Sequence, residues 1–220
     1  MHTIKNLILV GTSHISLESA KEVEKAILEN SPEIIAIELD LKRFRKLFSK
    51  NEKINWKNIG RQGFFLNIIG AWVEKYLGKK VGTTPGVEMK KAISLAKKHK
   101  IKIALIDQDI QVTLQKLKSR FTFKEKLRFV KNILKSLFNP KKIPFDLRKV
   151  PEQKLIKKLT LEVKKDYPSL HRTLIEERDK IMANNLLRLM KEGNKVVAIV
   201  GAGHIPGIKK IIKWNLQNKR

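Results

Sequence analysis

Residues 196–204 read VVAIVGAGH, and this stretch decides the fold. Five consecutive apolar residues bounded by a glycine favour a short strand buried on both faces. Residues 7–14 read LILVGTSH and repeat the arrangement: an apolar run, a glycine, two small residues and a histidine. Glycine lets the backbone turn sharply and approach a ligand closely. The sequence therefore predicts buried strands at residues 4–10 and 196–200, each followed by a histidine, His14 and His204.

Residues 33–39 (EIIAIEL) predict a second buried strand, and residues 101–106 (IKIALI) predict a third strand. Helical patterns separate the strands, at residues 17–29, 87–99, 111–117, 123–138, 170–191 and 205–216. This alternation predicts an α/β fold with a mainly parallel or mixed central sheet flanked by helices. Residues 111–192 contain no strand pattern. We expect them to form a helical, lysine-rich insertion in a single domain that spans residues 1–220.

The chain is strongly basic, with 48 Lys and Arg against 21 Asp and Glu and a formal charge of +27. Residues 115–165 hold 17 of the basic residues and only four acids. The electric field of so many positive charges attracts polyanions, so an anionic membrane surface is one expected partner. The alternative is a set of solvated lysines that keep the protein in solution. No nucleic-acid motif accompanies the charge, and the aromatic residues of this region are expected to face the core. We therefore expect no specific nucleic-acid partner.

The composition limits the reactions that the protein can catalyse and the cellular location that we expect for it. The chain has no cysteine, which excludes disulfides, thiolate metal sites and cysteine nucleophiles. No signal-peptide pattern opens it, and its apolar runs fall short of the roughly 18 residues that a membrane span needs. A cytoplasmic protein is expected, with a peripheral membrane position as the alternative. The aromatic stretch 56–76 either packs within the chain or forms a homodimer contact.

Ligands of parallel sheets bind beyond the carboxyl ends of the strands. Four strand ends here carry two imidazoles and up to four carboxylates, from His14, His204, Glu38, Asp40, Asp107 and Asp109. Two histidines and a carboxylate can hold a divalent metal that activates water. Without a metal, a histidine oriented by a carboxylate could act as a general base. The plainer alternative is that the aspartates cap the following helices and the histidines pack.

Two other features of the sequence bear on the site. His2, His99 and His171 are expected at the surface. The predicted helix around Arg178 (LIEERDKIMANNLL, 174–187) packs charges of both signs into one turn. If Arg178 is buried, it would clamp a substrate carboxylate or orient Glu38. The alternative is a row of surface salt bridges, which contribute little.

Six segments, in order along the chain, resemble the TraB/PrgY family, which is related to the Tiki metalloproteases and to GumN and ChaN-like proteins. They are VGTSHIS (10–16), IAIELDLKRFRKL (35–47), PGVEM (85–89), LIDQDIQVTL (105–114), LIEERDKIMA (174–183) and VVAIVGAGHIPGI (196–208). Two departures stand out. The family's D-R-D strand end reads D-Q-D at 107–109. Many family members carry hydrophobic spanning segments after this domain, and residues 1–220 are not expected to include one.

The resemblance implies a site and two alternative functions. Tiki proteins are described as divalent-metal-dependent peptidases, and PrgY-type proteins restrain a peptide pheromone. The family's catalytic and metal-binding positions fall on His14, Glu38 and His204, which would hold Mn, Co or Zn. Its substrate-binding positions fall on Arg43, Arg178, Glu177 and Glu88. The expected function is a peptidase-like, metal-dependent hydrolase of a peptide or small molecule. The alternative is a non-enzymatic regulatory protein that binds a peptide or an anionic surface.

Overall fold

The computed structural model describes residues 1–13, 17–48, 86–138, 153–192 and 194–218. These residues form a five-stranded sheet with helices on both faces, which confirms the predicted α/β class. His14 and the aromatic stretch 56–76 lie outside the described residues, so the homodimer contact stays a prediction. Among the described helices, none has the length and apolar character needed to cross a bilayer.

The sheet is mixed, with one antiparallel edge. Its strands are β1 (His2–Ile4), β2 (Leu7–Thr12), β3 (Ile34–Ile37), β4 (Lys102–Leu105) and β5 (Val196–Gly201). Their order is β1-β2-β5-β3-β4, and only the β1–β2 pair is antiparallel. β2, β3 and β5 are almost wholly buried, which explains why they read as continuous apolar runs. The prediction of one strand over residues 4–10 is wrong at its start, because a turn at Lys5 and Asn6 separates Ile4 from β2. The sequence did not predict β1, which pairs back onto β2 after this turn.

The helices cover both faces of the sheet. They are α1 (Leu17–Asn30), α2 (Leu41–Lys46), α3 (Val87–Lys98), α4 (Ile110–Arg120), α5 (Phe123–Phe138), α6 (Gln153–Asp166), α7 (Pro168–His171), α8 (Glu177–Lys191) and α9 (Ile205–Asn218). A π-helical turn, Arg172–Glu176, joins α7 to α8. One core cluster includes side chains of α1 and α3, and the other, across the sheet, includes side chains of α8 and α9.

The described part of the insertion is entirely helical, from α4 to α8, as predicted. Two expectations for this region are wrong. His171 is buried, at 6% exposure, beneath the turn that joins α7 to α8. Phe123 does not face the core, because its side chain is 79% exposed at the start of α5. In addition, no element was predicted over α6.

Glu125 fastens the first turn of α5 to α7. Its carboxylate accepts hydrogen bonds from the Thr122 N–H (3.0 Å) and hydroxyl (2.8 Å), and from the Ser169 N–H (2.8 Å). Burial acts to raise the pKa of Glu125, but the bonds from Thr122 and Ser169 outweigh burial and lower it. A carboxylate that satisfies helix-end N–H groups in this way stabilises both helices.

We expect Glu125→Ala to lower the free energy of unfolding by about 1–2 kcal/mol at pH 7, because it removes a cap. Since the folded-state pKa is depressed, this contribution is present above the unfolded pKa, and it is lost as the pH falls through the folded value. Urea unfolding at pH 7 and at acid pH measures it. The control is Glu22→Ala, which removes an exposed acid of α1. A loss that is equal at both pH values would contradict the assignment.

Candidate functional site

The carboxyl ends of four parallel strands meet at one edge of the sheet. The Ala202 N–H donates to the Thr12 carbonyl (2.9 Å), which ties the end of β5 to the end of β2. The Glu38 N–H donates to the Ile199 carbonyl (3.1 Å), and the Ile106 N–H donates to the Ile37 carbonyl (3.1 Å). These bonds hold the residues that follow each strand beside one another, as the sequence predicted.

Glu38, the first residue after β3, is the hub of this edge and is 4% exposed. Its Oε2 accepts a hydrogen bond from the Gly201 N–H (2.5 Å) at the end of β5. Its Oε1 accepts a hydrogen bond from Nη2 of Arg178 and lies 3.4 Å from Nε2 of His204. One carboxylate therefore contacts a strand end, a helix and a histidine.

His204 follows β5 directly before α9 and is 5% exposed. Its Nδ1 lies 2.6 Å from Oδ1 of Asp179, on α8. Burial acts to lower the pKa of His204, but the bonds to Asp179 and Glu38 outweigh burial and raise the pKa to about 9. Burial also raises the pKa of Asp179, although His204 acts to lower it. The raised pKa of His204 favours the protonated ring in the metal-free protein.

Gly207 makes room for Asp179. A Cβ placed at Gly207 would stand 1.9 Å from Oδ2 and 2.7 Å from Cγ of Asp179. Any larger residue would push the carboxylate away from His204. Sequence reasoning did not assign Asp179 to the site. The available signals were its place beside Arg178 and the glycine in HIPGI (204–208).

Two arginines complete the cluster. Arg178, 15% exposed, donates from Nε to both oxygens of Asp107 (3.1 and 3.2 Å) and from Nη2 to Oδ2 (2.6 Å). Burial acts to lower the pKa of Arg178, but Asp107 and Glu38 raise it. Arg43 donates from Nε to Asp40 (2.6 Å) and from Nη2 to Asp107.

Positive and negative side chains thus alternate along one connected path, which we call the buried charge chain. Its members, in order, are Arg43, Asp107, Arg178, Glu38, His204 and Asp179. Asp107, with a side-chain exposure of 0%, links the two arginines. A buried Arg178 was expected either to clamp a substrate carboxylate or to orient Glu38. Its contact with Glu38 matches the second role.

The other predicted carboxylates have different surroundings. Asp40 and Asp109 accept backbone hydrogen bonds as the N-caps of α2 and α4, the plainer alternative for strand-end aspartates. Glu177 contacts Lys116 (3.0 Å) and Arg120, both on α4. Glu88 is fully buried in the first turn of α3. The substrate-binding roles of Glu177, Glu88, Arg43 and Arg178 stay predictions.

The residues present fit part of a metal site. Two ligands about 2.1 Å from a tetrahedral ion stand about 3.4 Å apart, and this is the separation of His204 Nε2 from Glu38 Oε1. Asp179 on Nδ1 matches the carboxylate that commonly supports a ligating histidine. Within the described ranges, no three His, Asp or Glu side chains are grouped to hold an ion. The third predicted ligand is His14, which those ranges do not include.

The chain is similar to known proteins over nearly its whole length. The sequence profile of the TraB/PrgY/gumN family matches residues 2–218. The chain belongs to this family. An uncharacterized protein of Methanocaldococcus jannaschii is 41% identical over 219 residues, which cover 94% of this chain and 53% of that protein. TraB domain-containing proteins of Mus musculus and Homo sapiens are each 25% identical over 232 residues, covering 92% of this chain and 61% of theirs. The chain therefore spans about half to three fifths of the length of these relatives.

We expect Asp179→Asn to lower the pKa of His204 from about 9 towards 6.5 in metal-free protein, because the imidazolium loses a charged acceptor. A raised histidine pKa stabilises the fold below the unfolded pKa, near 6.5, and this contribution fades as the pH rises through about 9. Histidine NMR titration with a chelator present measures the pKa. Unfolding at pH 6 and pH 9.5 measures the stability.

The matched control for Asp179→Asn is Glu177→Gln, which removes an acid of the same helix that pairs with Lys116 and Arg120 instead. It should leave the His204 titration in place. If both variants shift that titration equally, the contact with Asp179 is not the cause.

Proposed function

We propose that this chain is a metal-dependent hydrolase of the TraB/PrgY/gumN family, with His14, Glu38 and His204 as the ligand set and a peptide or amide as the substrate. The observation that supports the proposal is the placement of Nε2 of His204 opposite Oε1 of Glu38, 3.4 Å apart, in a buried site. The family's relation to the Tiki metalloproteases supports the reaction class. A divalent ion at this position would supply activated water for hydrolysis.

The surrounding residues have distinct tasks in this proposal. Asp179 holds the ring of His204 by Nδ1, so that Nε2 points towards Glu38. Arg178 fixes the rotamer of Glu38 and places a positive charge beside the centre, where negative charge develops during amide hydrolysis. Because metal ligation needs a neutral imidazole, His204 must release its proton as the ion binds. Affinity should therefore rise with pH between neutrality and pH 9.

The test measures metal binding and peptide cleavage separately. Protein stripped with a chelator is titrated calorimetrically with Mn²⁺, Co²⁺ and Zn²⁺ at pH 7 and pH 8.5. The expected result is one site per chain, tighter binding at the higher pH, and proton release. His204→Ala and His14→Ala should each weaken binding at least tenfold, because each removes a ligand. Hydrolysis of a peptide library with Mn²⁺ or Co²⁺ should then be lost in both variants.

The control for the metal test is His99→Ala, which removes an exposed histidine at the end of α3. It should bind and cleave like the parent protein. The proposed metal centre would be contradicted if the protein showed no saturable metal binding, or if His14→Ala bound the metal with unchanged affinity. Circular dichroism of each variant checks that its fold is retained.

A second candidate is a regulatory protein that acts on an anionic membrane surface, and the outer face of α5 favours it. Phe123, Leu127 and Val130 stand at i, i+4 and i+7 and are 79%, 61% and 42% exposed. Lys124, Lys126 and Lys131 belong to the same helix, and no carboxylate of the described ranges pairs with them. An exposed apolar stripe with lysines on its helix is typical of helices that lie on anionic membranes.

The vesicle test compares phosphatidylglycerol with phosphatidylcholine vesicles at 50 and 500 mM salt. If α5 docks, binding occurs on the anionic vesicles alone and weakens at high salt. The double variant Phe123→Ser with Leu127→Ser should bind at least tenfold more weakly, because it removes the inserted apolar area. The matched control is Leu28→Ser with Phe48→Ser, which also removes one exposed leucine and one exposed phenylalanine. Equal binding by the two double variants would reject the α5 surface.

A further inference from the structure

A cleft of about 560 Å³ lies between α6 and α9, over the α7–α8 junction. Its base includes the buried His171 and Asp179, and its apolar lining includes Ile175, Ile211 and Trp214. The volume lies within the roughly 300–1,000 Å³ that small-molecule sites occupy. The indole of Trp214 is 62% exposed, which is a large apolar surface to leave in water unless something covers it.

The cleft reaches the edge of the buried charge chain without including its hub. Asp179 and Gly203 both line the cleft. Asp179 is hydrogen-bonded to His204, and Gly203 precedes His204 in the chain. A Cβ placed at Gly203 would meet no atom within 4 Å, so the chain beside His204 borders open space. A ligand in the cleft would therefore lie one residue away from the imidazole.

The charged side chains that line the cleft favour a ligand with a negatively charged group. Its two carboxylates already have partners: Asp179 contacts His204 (2.6 Å), and Glu176 contacts Lys164 (2.8 Å) and lies 3.3 Å from His171. The cleft is also lined by three exposed lysines, Lys157, Lys180 and Lys210. No carboxylate of the described ranges lies within ion-pair distance of these three. The charge left over in the cleft is thus positive.

From this combination, we propose that the cleft binds an anionic amphiphile with a single apolar chain, such as a fatty-acid carboxylate. The chain lies along Ile175, Ile211 and Trp214, and the headgroup meets the three lysines. An apolar lining excludes water from the chain, whereas a small polar anion would gain nothing from it. The lysines disfavour a cationic amphiphile. This binding requires neither a metal nor hydrolysis, so it stands independently of the proposed activity.

The experiment follows the fluorescence of Trp214 in the full chain carrying Trp56→Phe and Trp72→Phe, which leaves it as the sole tryptophan. Decanoate is titrated below its micelle concentration. Butyrate supplies the same charge with only a short chain, and decyltrimethylammonium supplies a ten-carbon chain with the opposite charge. The expected result is a saturable change with decanoate alone. No saturable change with decanoate, or an equal response to decyltrimethylammonium, would overturn the proposal.

Charge variants test the role of the lysines. Lys157→Gln with Lys180→Gln and Lys210→Gln should raise the dissociation constant of decanoate about tenfold, since exposed ion pairs contribute modestly and here act together. The matched control is Lys90→Gln with Lys97→Gln and Lys98→Gln, three exposed lysines of α3 across the sheet. It removes the same charge and should bind like the parent. Equal weakening in both triple variants would mean that net charge alone attracts the amphiphile, and would reject the cleft as its site.

Discussion

The bridge that Arg178 forms between Asp107 and Glu38 is the interaction on which the site depends. Glu38 follows the buried strand β3 and Asp107 follows the edge strand β4, and both side chains are buried. A buried carboxylate without a cationic partner would be energetically costly. Removing one partner of a buried pair typically costs about 3–5 kcal/mol. The guanidinium also joins α8 to the ends of β3 and β4. Since α8 also provides Asp179, the same helix that neutralises Glu38 orients His204.

The distribution of charge in the buried charge chain differs from the distribution at the protein surface. In the buried charge chain, two arginines and His204 alternate with three carboxylates, so the charges of the cluster largely offset one another. The formal charge of +27 therefore comes from residues outside this cluster, among them exposed lysines of α5, α6, α8 and α9. Both surface proposals use those lysines: α5 combines them with an apolar stripe, and the cleft combines them with apolar walls. The proposed metal centre depends instead on geometry within the interior.

Much of the fold could be predicted from the sequence, because central parallel strands are buried on both faces and read as short apolar runs. β1 could not, since three residues become a strand only by pairing with β2. The same limit applies to the site. Glu38 and His204 follow from the rule that strand ends hold function. Helical spacing places Asp179 on the same face of α8 as Met182 and Leu186, which pack against the sheet, but it does not show that this face brings Asp179 to His204.

The close approach of Gly207 to the Asp179 carboxylate has a consequence for how this chain can vary. With 1.9 Å between a would-be methyl group and a carboxylate oxygen, the two positions share one small volume. An alanine on α9 becomes tolerable only if the residue on α8 shrinks in step. Asp179 and Gly207, which are 28 positions apart in the sequence, should therefore vary together among homologues. A homologue without the acid can also accept a larger residue in place of the glycine.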